Sequence, residues 1–595
     1  MMVPASASIP PKKSHSSLLV PAALALVGVV YVVSLFLLPR AGLWTLDNAV
    51  KYLQVQGLDT SGLRSSALPW AGARIATPEQ CSPVPVPFGL VENGQLHGIY
   101  SPFFALASVL PFKLFGFRGL VLLPLFATLL MLVGLVRLAK SLGLGDRGQA
   151  WAVVLAGLAT PTWFYAVMFW EHSLAVCFVV WSLVAVAGFA RTGATRSLVL
   201  GAIAGAFAVY FRDDLYVALP FLAGFALLAR PSSRRGRLRV LTIFATVAIL
   251  ALCPLWAINA HYTGHVLGFH LTVPIGALSG LREFIELRPI IFHHLFFALH
   301  ASLPTALILA IPILVLFIVN PRATASWSRW ALPLAVTWAA LPLLIAFWGL
   351  SQGESPVSQL KSTNGLFFAS PLLALGLFRA AAEGDPKVGG ADRLAMLLAR
   401  FVLACTVGYA LIAPQRSSAS GIHWGNRFLL MTYPLLALLA VRTLAAAYRS
   451  HVARRGLGFL VVAMVISLSF SAQVYSINLA LRTERFFDRL NAAVETEAQS
   501  VVLTSTWWIP LLLYRSFPTR PIFLTSDHSC WQTVEHQLRS AGVEHVLDIQ
   551  SLDDQDRTPT GASTVKDDGL DFYDVTLQRQ VLGDFFWRPQ RVRLF

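Results

Sequence analysis

Residues 169–190 read FWEHSLAVCFVVWSLVAVAGFA, an apolar run with Glu171 and His172 at its lip. The run is of a length that crosses a bilayer as a helix. Ionisable side chains in or beside such segments cost about 2.5–3.5 kcal/mol on insertion scales, so their retention points to a task. Chemistry at a membrane face is the first expectation.

The rest of the chain agrees with that class. Of 595 residues, 56% are hydrophobic and 13% charged, which excludes an ordinary soluble globular protein. The net charge of +16 sits in short clusters between apolar runs, such as Arg230, Arg234, Arg235, Arg237 and Arg239, and again Arg449, Arg454 and Arg455. Cytoplasmic loops carry such clusters under the positive-inside rule, and no nucleic-acid partner is expected.

Lys12 and Lys13 precede an apolar run from Leu18 to Leu38, read as an uncleaved first membrane helix with residues 1–17 cytoplasmic. Further spans near 119–139, 149–168, 172–190, 197–211, 215–228, 239–258, 302–319, 330–349, 365–380, 394–414, 427–447 and 457–475 bring the total to about thirteen. Residues 198–228 are split because Arg212, Asp213 and Asp214 interrupt them. The fold expected is an α-helical polytopic membrane protein, with its transmembrane domain over 18–475, in the inner (plasma) membrane. Loop 1 (40–118), 259–301, 350–364 and everything after about 476 fall outside. In loop 1, Leu46, Ala49, Val50 and Leu53 recur at helical spacing, and Tyr100–Phe117 is apolar; both read as helices lying on the membrane surface. From Ser500 the composition turns soluble, with strands at Val501–Thr504, Ile522–Thr525 and Val543–Ile549 and a helix at Gln532–Ala541. Residues 476–595 are thus expected to form a small extracytoplasmic α/β domain.

Cys177, Cys253 and Cys405 lie in apolar helices, whereas Cys81 and Cys530 both fall outside, where a disulfide is permitted. Zinc-type spacing, a glycine-rich phosphate loop and G-x-S-x-G are all missing from the sequence. What the topology gathers on the outer face is charge: Asp47; Glu171 and His172; Arg212, Asp213 and Asp214; His261 and His265; Glu283, Glu286 and Arg288; Glu354 and Lys361; and His423, Trp424 and Arg427. Carboxylates mixed with cations at a membrane surface suit a lipid-phosphate substrate.

Four of these stretches carry a resemblance. A lone Asp47 after the first membrane helix, Phe169–His172, a Gly-x-x-x-Gly helix from Gly201 ending in Arg212–Asp213–Asp214, and Trp424–Gly425–Asn426–Arg427–Phe428 resemble the GT-C class of polytopic glycosyltransferases. Their order is similar to that in the bacterial group of protein mannosyltransferases and the aminoarabinose transferase of lipid A. The resemblance implies inverting transfer of a sugar from a polyprenyl-phosphate carrier, in contact with membrane lipid, to a glycan, lipid or protein acceptor outside. It implies Asp47 as general base and Glu171 as the residue that orients the acceptor or helps bind a cation. His172, Arg212, Lys361 and Arg427 would hold the carrier phosphate, with Asp213, His423 and Trp424 beside them as substrate-binding residues. No metal site is expected, and a divalent cation is the one cofactor left open. The chain departs from the group where Asp47 is followed by Asn48 instead of a second acid, and where Tyr100–Ser101–Pro102 replaces Lys-Pro-Pro or His-Pro-Pro.

Plainer readings stand beside these. Asp47 caps a helix starting at Asn48 or pairs with Lys51; Glu171 caps a helix start; Asp214 pairs with Arg212. His261, His265, His293 and His294 are too irregular in spacing for a metal site to be favoured, and Glu283, Glu286 and Arg288 read as a solvated face. Trp507 and Trp508 read as interfacial anchors. The rival class is a lipid or polysaccharide flippase, which would keep its charges at mid-membrane and show an internal repeat; neither feature is evident.

Overall fold

The computed structural model describes residues 18–230, 233–276, 280–289, 291, 295, 365–377, 389–412, 424–449, 456–551, 563–565 and 575–581. Among them, five helices are long and apolar enough to cross a membrane: Leu19–Leu37, Phe117–Ser141, His172–Thr192, Arg234–Thr263 and Gly390–Ile412. The expected spans 302–319 and 330–349 lie outside the described residues.

Helix α1 (Leu19–Leu37) shows how the membrane shapes these elements. Ala23, Val27, Tyr31 and Ser34 form its buried stripe, while Leu26, Val29, Val33 and Phe36 point outward, as lipid allows and water does not. The stripe packs on α5 (Asp146–Leu158), where the Tyr31 hydroxyl donates to the Gly157 carbonyl at 2.8 Å. The α5 helix ends well short of the 149–168 span expected from hydropathy. Pro161 disfavours helical backbone in the residue before it, and the chain breaks before the short α6 (Thr162–Ala166).

Helices α2 (Leu46–Thr60), α3 (Pro102–Phe115) and α4 (Phe117–Ser141) follow α1, with the hairpin β1 (Gly89–Glu92) and β2 (Gln95–Gly98) between α2 and α3. The hairpin turns on Asn93 and Gly94, both at positive φ, the backbone that a two-residue turn demands. Helix α7 (His172–Thr192) packs on α8 (Thr195–Phe211), where the Ser182 hydroxyl donates to the Gly201 carbonyl at 2.7 Å. A Cβ on Gly201 would lie 2.9 Å from Val186, and one on Gly205 would lie 2.9 Å from Leu222 of α9 (Ala218–Ala229), so the small pair sets the close approach. The 198–228 segment is two helices joined by a 3₁₀ turn, Asp213–Val217.

Two expectations are corrected. Helix α2 does not lie on a surface: every residue from Leu46 to Val55 is buried. Its second face is covered from far along the chain, with Tyr52 stacked on Phe117 at 4.6 Å and edge-on to Tyr514 at 5.6 Å. The span expected at 457–475 belongs to a helix that runs without a break from Gly456 to Thr496.

Beyond that helix stands a five-stranded sheet built from β3 (Val502–Thr504), β4 (Ile522–Leu524), β5 (His545–Ser551), β6 (Ser563–Val565) and β7 (Val575–Val581). Its order is β4-β3-β5-β7-β6, with β3 parallel to β4 and β5, and β7 antiparallel to β5 and β6. The helix His528–Ser540 connects β4 to β5. This sheet is locked to loop 1: Trp70 Nε1 donates to the Ile522 carbonyl at 2.9 Å, and Cys81 is disulfide-bonded to Cys530. Loop 1 and the sheet therefore lie on one side of the membrane.

Candidate functional site

The site begins at the start of α2. Thr45, not Asp47, caps this helix, in a reciprocal box with Asn48, so Asp47 is inside the first turn and its carboxylate is released from capping. Asp47 and Lys51 stand one helical turn apart on the same face. Asn48 fixes that face to the next element by donating to the Phe169 carbonyl at 2.6 Å.

Three other chain segments supply the rest. Glu171 immediately precedes α7, Arg212 ends α8, and Arg427 opens the 3₁₀ turn Arg427–Leu429 before the helix Thr432–Arg449. Arg427 donates to Asp47; Lys51 Nζ lies 3.0 Å from Glu171 Oε2; Arg212 Nη1 lies 3.2 Å from Glu171 Oε1. Arg212 also grips Asp214 with two bonds, at 2.8 and 2.9 Å, the planar fork matched to a carboxylate. The His172 ring nitrogen is 3.6 Å from Glu171, and Asp213 is 2.7 Å from His270.

Three carboxylates thus meet three cations in a nearly dry place, where an unpaired charge would be costly. Burial lifts the Asp47 carboxyl, but the Arg427 and Lys51 charges and hydrogen bonds from Tyr100 and Arg427 outweigh it and hold the group below the usual carboxylate range. Burial pushes the Lys51 ammonium below its usual value, with Glu171 and Asp47 pulling the other way. Aromatic rings line the cluster. Lys51 Nζ sits 3.9 Å from the Tyr100 ring centre, and Arg427 sits 5.4 Å from Trp170.

The solved structures to which this chain is similar are GT-C membrane glycosyltransferases. ArnT from Cupriavidus metallidurans bound to undecaprenyl phosphate is 13% identical over 94% of this chain and 97% of that one, with a TM-score of 0.49. The archaeal oligosaccharyltransferase AglB from Archaeoglobus fulgidus, in complex with an inhibitory peptide and a dolichol-phosphate, is 14% identical over 89% of this chain and 69% of that one, TM-score 0.48. The arabinofuranosyltransferase AftD from Mycobacteria is 16% identical over 88% of this chain and 36% of that one, TM-score 0.38. No protein-family model matches the chain, and no curated protein matches it.

Not every residue singled out in the sequence joins the cluster. Trp424 Nε1 donates to Gln473 at 2.9 Å, which turns the indole toward the long helix. Lys361, His423, His293, His294 and Glu354 lie outside the described residues. His265 reaches Glu92 at 3.5 Å and His261 packs on Tyr262, while among the described residues no three His, Cys, Asp or Glu side chains gather as metal ligands. Each Glu171 oxygen faces one cation, Lys51 at 3.0 Å and Arg212 at 3.2 Å.

Other participants were not legible in advance. Lys51 reads from spacing as the partner of Asp47, yet its close contact is Glu171. His270 carries no signal of its own. Tyr165 and Trp170 are buried beside His172, and neither the Tyr165 hydroxyl nor Trp170 Nε1 has a hydrogen-bond partner among the described residues. They are neutral donors at the edge of a charged site.

Proposed function

We propose that this protein is a glycosyltransferase that moves a sugar from a polyprenyl-phosphate carrier to a hydroxyl acceptor at the outer face of the membrane, with inversion at the anomeric carbon. The observation that carries the reading is the buried Asp47–Arg427 pair: a carboxylate and a guanidinium held together within a cluster whose charges otherwise balance. A base for the acceptor and a cation for the departing phosphate are what the displacement needs.

In the resting site Asp47 is a weak base, because Arg427 and Lys51 favour its charged form. An arriving carrier phosphate competes for Arg427. As the guanidinium turns to the phosphate, Asp47 loses its strongest partner and becomes more basic, so donor binding arms the base. The acceptor hydroxyl then gives its proton to Asp47 while its oxygen attacks the anomeric carbon. The bond from that carbon to the phosphate oxygen breaks, and its electron pair leaves with the polyprenyl phosphate, whose new charge falls to Arg427. Glu171 keeps Lys51 and Arg212 in position beside the phosphate.

The test is transfer of radiolabelled sugar from a panel of polyprenyl-phosphate monosaccharides, in membranes carrying wild type or Asp47→Asn at matched expression. Transfer by wild type with a loss of about a hundredfold or more in the variant supports the reading. Equal transfer by both removes Asp47 as base. Absence of transfer from every donor, with the protein folded, overturns the carrier-dependent reaction and favours a lipid or polysaccharide flippase.

A further inference from the structure

The ends of α7 and α8 that point away from the ionic cluster carry a different surface. Glu171 precedes α7, whereas Arg191 lies in its last turn; Arg212 ends α8, whereas Arg196 lies in its first. With a rise of about 1.5 Å per residue, α7 is about 30 Å long, the thickness of a bilayer's hydrocarbon core. Arg191 and Arg196 are thus one hydrocarbon layer away from Glu171 and Arg212.

These two arginines flank the α7–α8 turn, and a third lies on it. The Arg230 guanidinium is packed so closely over Gly193 that a Cβ there would collide with its Nη1. Shortly afterwards α10 (Arg234–Thr263) begins, with Arg234, Arg235, Arg237 and Arg239 in its first two turns. Helix α10 packs on α8, and its other end meets loop 1, where the Tyr262 hydroxyl donates to the Leu63 carbonyl at 2.6 Å. The arginines therefore gather at the ends of three packed helices, on the side opposite loop 1.

All of them are exposed, and none forms an ion pair among the described residues. Helix α10 has no acidic residue in its first turn to offset them. Like charges crowded in this way repel, so the counter-charge must come from outside the described chain. The depth of the patch says from where. Leu200 on α8 and Leu238 and Leu241 on α10 are exposed apolar residues within about a turn of the arginines, which puts the guanidiniums at headgroup level. Leu238, between Arg237 and Arg239, suits a lipid and not a soluble polyanion. A zwitterionic headgroup brings a positive group that the patch repels, whereas a net anionic one offers its phosphate to the guanidinium forks without that cost.

We propose that this arginine patch binds anionic phospholipid headgroups of the leaflet opposite loop 1, and that the bound phosphates hold the ends of α7, α8 and α10 together. The inference stands apart from sugar transfer.

The experiment is native mass spectrometry of the full-length protein in mixed micelles with equimolar phosphatidylglycerol and phosphatidylcholine. Wild type is expected to retain phosphatidylglycerol roughly tenfold over phosphatidylcholine. Arg234→Gln, Arg235→Gln, Arg237→Gln and Arg239→Gln combined should reduce that preference to about twofold or less. Arg64→Gln, Arg74→Gln, Arg482→Gln and Arg485→Gln combined remove the same charge from exposed positions on the loop 1 side and should leave the preference in place. Equal retention of the two lipids by wild type, equal losses in the two variants, or an unchanged preference in the first variant each overturns the proposal. If the first variant does not fold, Arg196→Gln with Arg230→Gln takes its place under the same readings.

Discussion

Asp47 and Arg427, 380 positions apart in the chain, form one ion pair in a largely buried setting. Arg427 is brought there by a 3₁₀ turn whose Asn426 side chain accepts from the Phe428 amide at 3.1 Å. The Asn426 amide in turn donates to the Tyr433 hydroxyl at 2.8 Å, and Gly425 at φ 60° supplies the bend that an L residue would resist. The Trp-Gly-Asn-Arg-Phe stretch is thus a mount for one guanidinium.

That mount makes Arg427→Lys informative. Lysine keeps the charge but not the two-pronged geometry, so the fold is expected to persist while transfer falls by about ten- to a hundredfold, with the loss in kcat more than in KM. Steady-state kinetics on purified protein checks the split. A variant at wild-type rate would remove Arg427 from the reacting phosphate.

Glu171 holds Lys51 with one oxygen and Arg212 with the other. Removing its charge strands a buried ammonium, because Arg212 keeps Asp214 whereas the one carboxylate left acting on Lys51 among the described residues is the more distant Asp47. Glu171→Gln is expected to destabilise the protein by about 3–5 kcal/mol. Lys51→Met in the same chain should recover part of that loss, and a thermal-unfolding double-mutant cycle gives the coupling. Additive effects would show that the pair is not coupled in solution.

Much of this was visible in the residues and some was not. Charge in an apolar setting marked Asp47, Glu171, Arg212 and Arg427, because membrane segments retain such groups at a cost. The Arg212–Asp214 pair was readable because both partners are local. Asp47–Arg427 and Lys51–Glu171 were not, since nothing in spacing connects residues so far apart. The error on α2 has the same origin: its apolar stripe reads as a surface helix unless one knows that Tyr514 and α3 cover the other face. Asp47, Asn48, Lys51 and Gln54 are buried there only because each finds a partner.

The Cys81–Cys530 bridge spans 449 residues and joins loop 1 to the sheet. Disulfides persist in oxidising compartments, so both parts are expected on the non-cytoplasmic side. A non-reducing digest of protein taken from cells should contain the cross-linked peptide, and Cys81→Ser with Cys530→Ser should cost about 2–5 kcal/mol. Recovery of two free thiols would instead put this face on the reducing side and reverse the topology.

Two buried carboxylates give opposite pH signatures. The Asp47 carboxyl is lower in the folded chain than its unfolded value of about 3.9, so its contribution is fully present above that value and lost only as pH falls through the folded one. Between pH 5 and 7.5 it adds no slope. The Glu484 carboxyl, some way past the apolar part of its helix, is raised by burial, so its contribution is fully present below about pH 4.3 and lost as pH rises toward the folded value. Over that window wild type in lipid-free detergent should lose up to about 1.4 kcal/mol per pH unit. Thermal unfolding from pH 5 to 7.5 checks this, with Glu484→Gln expected to flatten the fall and Asp47→Asn to leave it in place. Parallel profiles for wild type and Glu484→Gln would show that Glu484 finds a partner in the folded protein.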